Sequence, residues 1–370
     1  MKKITWFVVA LIIIIGGIWA YQSKSNSTPI KIGVITALTG SGAGVYGEPL
    51  KNSINLALNE IDSKHVKYEV RFEDYQLDTK QALPAYLKLK SEGVKIFIID
   101  GSPALSVLAP EVRKDGFLSF NSSSFIPAYK DGNPLTCRIA ITADNYAPAY
   151  SDLLLNTLHK TKVVALIPNY EPGVAILTAF KEEFEKRGGQ VVFESLYSKD
   201  GNDFRTEIQK IKSYNADAII AVNYFTSAPT MFKQMKELGL TTQLITDDWT
   251  VGNAAVTDKT LLDGAYLVGY SFSTINPKTD KEKEFIQKFK NAYSTDPSVM
   301  AVQGYDLMNI LNTAVQGTSS QDPATLAAYL TTKINNYQGV GGSITLNSDC
   351  EAKREVTVRK VDAGQLVDIR

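Results

Sequence analysis

The sequence predicts an α/β protein made of two similar lobes, each built around its own parallel β-sheet. Strand and helix patterns alternate along the chain, and the alternation starts again after residue 160. A strand–helix–strand rhythm places successive strands in parallel with helices on both faces of the sheet. The length of 370 residues leaves room for two such units.

In the first half, strands are predicted where β-branched residues run together, and helices where apolar residues recur at helical spacing. The predicted strands are 29–37, 68–73, 95–100 and 117–120. One helix begins at Glu48, because Pro49 suits a first helical turn. A second helix runs from Thr79 to Gly93, where glycine favours an end.

The second half repeats the pattern and adds a helical tail. The predicted strands are 162–167, 190–197, 218–222 and 243–246, and the predicted helices are 173–187, 204–214, 228–238, 280–293, 302–316 and 326–334. A terminal hairpin is expected from 342–346 and 354–361, with its turn at 347–349. Three strands near 141–145, 270–273 and 337–342 are expected to cross between the lobes.

Composition and charge exclude several classes of function. The 39 basic and 39 acidic residues cancel, so no basic field is available to bind nucleic acid. The two histidines and two cysteines lack metal-ligand spacing, and neither a metal nor a cofactor is expected. The sequence allows two states for Cys137 and Cys350: a disulfide between them, or two separate thiols.

The N-terminus has the composition of a targeting segment. Basic residues at positions 2 and 3 precede an uncharged apolar run at 4–20, and residues 21–28 form a polar tether. The run is longer than a usual signal core, and Ile18 disfavours cleavage after Ala20. An uncleaved membrane anchor is therefore preferred over a cleaved signal, with residues 29–370 outside the cytoplasm.

One motif points to an enzyme, but its context does not fit. Gly42–Gly47 matches the dinucleotide pattern GxGxxG between a strand and a helix. The loop from Thr36 to Gly42 is too long for the tight turn of that motif. The acidic residues Glu73 and Asp74 also lie too far along the chain to be the acid that the motif requires. No Gly-x-Ser-x-Gly nucleophile elbow is present. The protein is expected not to be an enzyme, with a nucleotide-dependent enzyme as the remote alternative.

The loops after the predicted strands are the candidate ligand site, because open α/β sheets bind ligands beyond the carboxyl ends of their strands. These loops are 39–47, 101–106, 121–125, 168–173, 223–228 and 247–252. They are rich in hydroxyl groups, and they contain the aromatic residues Tyr46, Tyr170, Tyr224, Phe225 and Trp249. Because neighbouring strand residues point to opposite faces, at most one of Asp247 and Asp248 should face the cleft, as an ammonium partner.

Several of these segments together resemble a known family. They are residues 30–47 (IKIGVITALTG…YG), 72–83, 92–102, 201–204 and 239–248. In this order they resemble the branched-chain amino-acid-binding family of ABC-transporter solute receptors. The resemblance implies the type I periplasmic binding protein fold, with two Rossmann-like lobes joined by a three-strand hinge. It divides the chain into residues 1–28, a first lobe of 29–142 plus 273–339, and a second lobe of 143–272 plus 340–370.

The resemblance also implies roles for individual residues. Tyr46, Ser102, Ser123 and Ser124 would hold the ligand from the first lobe, and Tyr170, Tyr224 and Asp248 from the second. Asp248 takes the place of the acid that pairs with the α-ammonium. Departures from the family pattern are Pro103, Phe125 and Trp249. The large indole of Trp249 would floor the pocket, so a leucine-type ligand is not assured.

The implied function is that of an extracytoplasmic receptor of an ABC importer. It would bind a small amino acid or a related polar ligand, and deliver it to a permease in the membrane. A membrane-tethered sensory domain, which reports the ligand without transporting it, is the alternative.

Overall fold

The structure is a computed structural model that describes residues 29–61, 66–122, 134–198, 200–252, 255–274 and 276–369. The predicted targeting segment at 4–20 lies outside the described residues, as do Ser123, Ser124 and Phe125. Within these described ranges, no helix is both long and apolar enough to cross a membrane.

The first sheet contains five parallel strands. They are β1 (Ile30–Thr36), β2 (Tyr68–Asp74), β3 (Ile96–Ile99), β4 (Leu118–Asn121) and β5 (Thr136–Arg138). Their spatial order is β2-β1-β3-β4-β5. Every residue of the central strands β3 and β4 is buried, as expected for a parallel sheet covered on both faces.

Helices α1 (Glu48–Glu60), α2 (Thr79–Ser91) and α3 (Ser102–Lys114) cover this sheet. Leu50 and Ile54 of α1 are fully buried, on the face that their spacing predicts. The prediction of a loop at 101–106 is wrong, because α3 begins at Ser102. Gly101 precedes it with φ of 81°, a conformation that glycine adopts at little cost.

The second sheet contains seven strands. The bounds are β6 (Lys162–Pro168), β7 (Gln190–Tyr197), β8 (Ala218–Ala221), β9 (Gln243–Asp247), β10 (Tyr266–Tyr270), β14 (Val356–Asp362) and β15 (Gln365–Asp368). The order is β15-β14-β10-β9-β8-β6-β7, and the two C-terminal strands are antiparallel to their neighbours. Helix α4 (Ala143–Asp152) precedes β6, and the helices that follow the parallel strands β6 to β9 are α5 (Glu171–Lys186), α6 (Arg205–Ser213), α7 (Ala228–Glu237) and α8 (Asp248–Val251).

Three later helices return to the first sheet. They are α9 (Asp280–Tyr293), α10 (Val299–Thr318) and α11 (Pro323–Lys333). The hydroxyl of Tyr293 donates to the carbonyl of Asn52 in α1 at 2.8 Å. Tyr68 at the start of β2 donates to Oδ1 of Asn312 in α10 at 3.0 Å. Residues 280–333 therefore belong with the first lobe by packing.

The predicted terminal hairpin is wrong. Strand β12 (Gly342–Leu346) pairs with β11 (Tyr337–Gly339) and β13 (Ala352–Arg354) in a separate three-stranded sheet. Strand β14 instead pairs with β10 of the second sheet. The turn at 347–349 leads into β13, so the hairpin forms between β12 and β13 and not between β12 and β14. The pairing of β14 with a distant strand gave no local signal in the sequence.

The first predicted crossing strand, 141–145, is also wrong, since α4 begins at Ala143 after an N-cap at Thr142. Side chains nevertheless tie the segments that pass between the two sheets. The hydroxyl of Tyr270 accepts from the N–H of Ile141 at 2.8 Å and from Nε2 of Gln303 at 2.9 Å. The end of β10 in the second sheet is thus bonded to the segment between β5 and α4 and to α10.

A disulfide joins Cys137 of β5 to Cys350, which precedes β13. The two residues are 213 positions apart, and their Cα atoms lie 4.6 Å from one another. Of the two states that composition left open, the structure contains the bonded one. The bond fastens the three-stranded sheet to the edge of the first sheet.

Candidate functional site

The carboxyl ends of the first sheet carry a buried polar network. Thr36 ends β1, Asp100 follows β3, and Ser122 follows β4. The hydroxyl of Thr36 donates to Oδ2 of Asp100 at 2.9 Å, and that of Ser122 donates to Oδ1 at 3.1 Å. Parallel strands end at one edge, so residues distant in sequence meet there.

Two tyrosines stand beside this network. Tyr46 is partly buried in a π-helical turn that leads into α1, and Tyr75 follows β2 and is fully buried. Burial raises the pKa of both phenols, and the nearby Asp100 carboxylate and Tyr170 phenol raise both further. Tyr170 follows β6 of the second sheet. The carboxyl ends of the two sheets therefore approach each other at these side chains.

The glycine-rich motif at 42–47 has a packing explanation. A Cβ atom on Gly47 would lie 1.8 Å from the carbonyl oxygen of Ala37, so only glycine fits there. The π-helical turn Ala43–Gly47 continues into α1 and does not form the tight turn of a dinucleotide site.

Ser102 and Glu171 face each other across the two lobes. Ser102 is buried as the first residue of α3, and Glu171 opens α5. Burial raises the pKa of the Glu171 carboxyl, while Ser102 and the charge of Arg138 lower it. Neither carboxylate oxygen of Glu171 accepts a hydrogen bond of ordinary geometry, although both are buried.

At the carboxyl ends of the second sheet, Asp247 is fully buried. The hydroxyl of Tyr224 donates to its Oδ2 at 2.8 Å, and the N–H of Thr250 donates to its Oδ1 at 2.8 Å. Burial raises the pKa of Asp247 to about 7, and the charge of Asp248 adds to the rise. Asp247 and Asp248 are thus neighbouring carboxyls at the end of β9, the first fully buried and the second partly buried.

Asp248 is held by two donors. Its Oδ1 accepts from the hydroxyl of Tyr146 at 2.7 Å, and its Oδ2 accepts from the N–H of Tyr270 at 2.9 Å. A Cβ on Gly269 would lie 2.3 Å from its Cγ, so the carboxyl packs closely on β10. Because Asp248 begins α8 instead of continuing β9, the strand alternation that separated it from Asp247 does not apply.

Two of the predicted aromatic residues of the second lobe, Tyr170 and Phe225, contact each other. The rings of Tyr170 and Phe225 are 5.7 Å apart in an edge-to-face arrangement. Phe225 follows Tyr224 in the chain, and Trp249 packs partly buried against the main core. Edge-to-face rings contribute both apolar contact and fixed orientation.

The polar and aromatic residues at the carboxyl ends of the two sheets form two facing walls. The first wall comprises Thr36, Tyr46, Tyr75, Asp100, Ser102 and Ser122. The second wall comprises Tyr170, Glu171, Tyr224, Asp247, Asp248 and Trp249. We call the junction between these walls the cleft.

Among the residues predicted from sequence, Tyr46, Ser102 and Tyr170 meet where the walls approach. Tyr224, Asp248 and Trp249 share the second wall, where Tyr224 and Asp248 are linked through Asp247. Ser123 and Ser124 lie outside the described residues, so their roles stay predictions.

The sequence prediction did not include six polar members of the two walls: Thr36, Tyr75, Asp100, Ser122, Glu171 and Asp247. Asp100 could have been found, because it follows a predicted buried strand at the edge where ligands bind. Glu171 lies within the predicted cleft loop 168–173, but it was not predicted to bind the ligand. Tyr75 follows an edge strand, and only the fold brings it next to Gly101, where a Cβ would lie 2.8 Å from its hydroxyl.

In the described part of the chain, no group of three or more His, Cys, Asp or Glu residues is arranged to hold a metal ion. The polar groups of the cleft are hydroxyls, phenols and carboxyls, which hold ligands by hydrogen bonds and charge. The arrangement is suited to binding a small polar molecule between two lobes.

Comparison with known proteins agrees with this geometry. A family described as periplasmic binding protein matches residues 29–365. The Leu/Ile/Val-binding protein of Escherichia coli K12 is 23% identical over 345 residues, covering 90% of this chain and 91% of that protein.

Solved structures show the same fold. A leucine-binding protein from Thermotoga maritima has a TM-score of 0.81 at 21% identity, covering 92% of this chain and 98% of that chain. A second solved structure is a solute-binding protein of an ABC transporter from R. palustris in complex with benzoate. Its TM-score is 0.78 at 20% identity, and the match covers 92% of this chain and 96% of that chain. The resemblance and the fold class predicted from sequence are thereby confirmed. The chain belongs to the periplasmic binding protein family, among the type I solute-binding proteins related to the Leu/Ile/Val-binding proteins.

Proposed function

We propose that this chain is an extracytoplasmic receptor of an ABC importer that binds a small amino acid or a related polar ligand in the cleft. One observation carries the proposal: Ser102 of the first wall lies within reach of the Glu171 carboxylate of the second, and Tyr46 and Asp100 lie close to Tyr170. A ligand between them would touch both lobes. The relatives are named for amino-acid binding, and a structural neighbour holds benzoate, so the ligand class rests on the cleft itself.

Binding would proceed by closure of the lobes. Contacts that a ligand makes with both walls exist only in the closed form, and this difference shifts the population toward closure. Sheet membership and packing support a first lobe of 29–142 with 273–354, and a second lobe of 143–272 with 355–369. The third crossing then falls between β13 and β14, after the predicted segment at 337–342.

The hydroxyls of the first wall and the amides at the start of α3 are suited to a carboxylate, whereas Asp248 is suited to an ammonium. Tyr46, Ser102, Tyr170 and Tyr224 would line the ligand. Binding and release require no covalent step, and we propose no catalytic activity. Residues 4–20 would keep the receptor at the membrane, near the permease that takes its cargo.

The test is a thermal-shift screen of the full-length chain, purified in mild detergent, against amino acids, small amides, carboxylates and sugars. A ligand at a hundred times its Kd stabilises the folded state by about 2.7 kcal/mol, which raises the melting temperature. Calorimetry then compares Tyr170→Ala with the control Tyr214→Ala, whose ring is 43% exposed on the surface. We expect at least a tenfold loss of affinity in the first variant and none in the second. No binding by any compound, or equal affinity in both variants, would contradict the proposal.

A further inference from the structure

Two polar groups in the cleft are buried without a well-formed hydrogen bond. The hydroxyl of Tyr75 is one, on a side chain with no exposed surface. The carboxylate of Glu171 is the other, with both oxygens buried. A buried polar group without a partner has lost its hydration and gained no hydrogen bond in return, so such groups call for an explanation.

Both groups lie where the two walls approach. Tyr75 is close enough to Asp100, Tyr170 and Tyr46 to feel their charges, and its hydroxyl lies beside Gly101 at the start of α3. Glu171 opens α5 next to Tyr170 and reaches toward Ser102 on the opposite wall. The two unmatched groups therefore belong to one end of the cleft and come from both lobes.

Charge around this end favours a cation. The arginines near the cleft engage other carboxylates: Arg138 with Glu351, Arg354 with Asp306, and Arg359 with Asp368. Among the described residues, no lysine or arginine nitrogen lies within 4.0 Å of the carboxylates of Glu171, Asp247 or Asp248. Burial raises the pKa of all three carboxyls, and the charges of Arg138 at Glu171 and of Arg359 at Asp248 offset that rise only in part.

The aromatic rings at this end suit the same ligand chemistry. Tyr46, Tyr170 and Phe225 are grouped there, and aromatic faces attract ammonium and guanidinium groups. An aliphatic side chain would leave the Tyr75 hydroxyl without a partner and the Glu171 carboxylate with only the Ser102 hydroxyl near it. A cationic side chain would donate hydrogen bonds to both.

We propose that Glu171 and Tyr75 form a subsite for a cationic group on the ligand's side chain, so that the cargo is a cationic amino acid. This inference rests on the proposed function and names its ligand class. The second positive charge, beyond the α-ammonium that Asp248 would hold, distinguishes this cargo from leucine, isoleucine and valine.

The test measures the affinity of the full-length chain for lysine, ornithine, arginine, norleucine and leucine by calorimetry. Lysine and norleucine share one carbon chain and differ in the terminal ammonium. We expect lysine, ornithine or arginine to bind at least tenfold more tightly than norleucine, and the advantage to shrink in high salt because the contact is ionic. The decisive variant is Glu171→Gln, which keeps the shape and removes the charge. The matched control is Glu182→Gln, an exposed position on the same helix.

Glu171→Gln should weaken binding of the cationic ligands at least tenfold and that of norleucine less than twofold, with no change in the control. Tyr75→Phe should weaken cationic ligands severalfold without lowering the melting temperature, because the hydroxyl has no partner within the described chain.

Equal affinity for lysine and norleucine would overturn the subsite and leave the proposed function intact. An equal loss for every ligand in Glu171→Gln would do the same, since Glu171 would then only join the lobes. Failure of every amino acid to bind would overturn the proposed function, and this inference with it.

Discussion

Replacing Asp247 with asparagine should stabilise the protein at high pH and destabilise it at low pH. Asp247 is fully buried beside Asp248, and its pKa rises to about 7, chiefly through burial and then through the neighbouring charge. The ordinary value is 3.8. Below that value both folded and unfolded states hold the proton, and the group does not affect stability.

Between pH 3.8 and about 7, the unfolded chain loses this proton while the folded chain keeps it. Stability therefore falls as pH rises through this window, and the full cost is present above about pH 7. A pKa difference of this size corresponds to about 4 kcal/mol. An asparagine does not ionise and avoids that cost.

The substitution also loses one acceptor. The two oxygens of Asp247 accept from Tyr224 and from the N–H of Thr250, and asparagine has a single oxygen. A lost buried hydrogen bond costs about 1–2 kcal/mol. We therefore expect Asp247→Asn to gain about 2 kcal/mol at pH 8 and to lose about 1–2 kcal/mol at pH 4.

Thermal unfolding followed by circular dichroism, from pH 4 to pH 8, measures this change of sign. Asp258→Asn is the control, because Asp258 also caps a turn by accepting from the N–H of Thr260 but is exposed. Hydrogen bonds from Thr260 lower the pKa of Asp258, so its replacement should lower stability at pH 8. A melting-temperature difference for Asp247→Asn that does not vary with pH would refute the reasoning.

Reduction of the Cys137–Cys350 disulfide should lower the melting temperature by several degrees. The bond closes a loop of 213 residues, and the lost entropy of the unfolded chain stabilises the folded state by up to about 5 kcal/mol. The same melting temperature with and without reductant would argue against that contribution. Gly269→Ala should destabilise by about 1–3 kcal/mol in urea unfolding, since the new Cβ would lie 2.3 Å from Cγ of Asp248. Gly44→Ala, where a Cβ meets nothing within 4 Å, is its control, and equal effects of the two would refute the packing argument.

Elements with strong local signals were predicted closely. The helix Asp280–Tyr293 has its predicted bounds, because Thr279 and Glu282 form a capping box at its start. The helix Ser102–Lys114, which contains prolines at 103 and 110, was not predicted, and a loop was expected at 101–106 instead. Pro103 lies in the first turn, where proline is tolerated.

Features that depend on strand pairing between distant parts of the chain were not predicted from the sequence. Strand β14 pairs with β10, whose residue Tyr266 lies opposite Lys360, and nothing local marks that partner. In the site, the carboxyl-end rule predicted that segments distant in sequence meet at one edge of each sheet, and the resemblance assigned Tyr46 and Tyr170 to opposite lobes. The rule gave no indication that Tyr75 and Glu171 would be left without hydrogen bonds, since that depends on the packing of both lobes.

A crystal structure of the protein with its tightest-binding amino acid tests the central claim most directly. The account predicts ligand density between the two walls, within hydrogen-bond distance of a first-wall residue and of a second-wall residue at once. Density confined to one lobe, or at the surface away from Tyr46 and Tyr170, would contradict it.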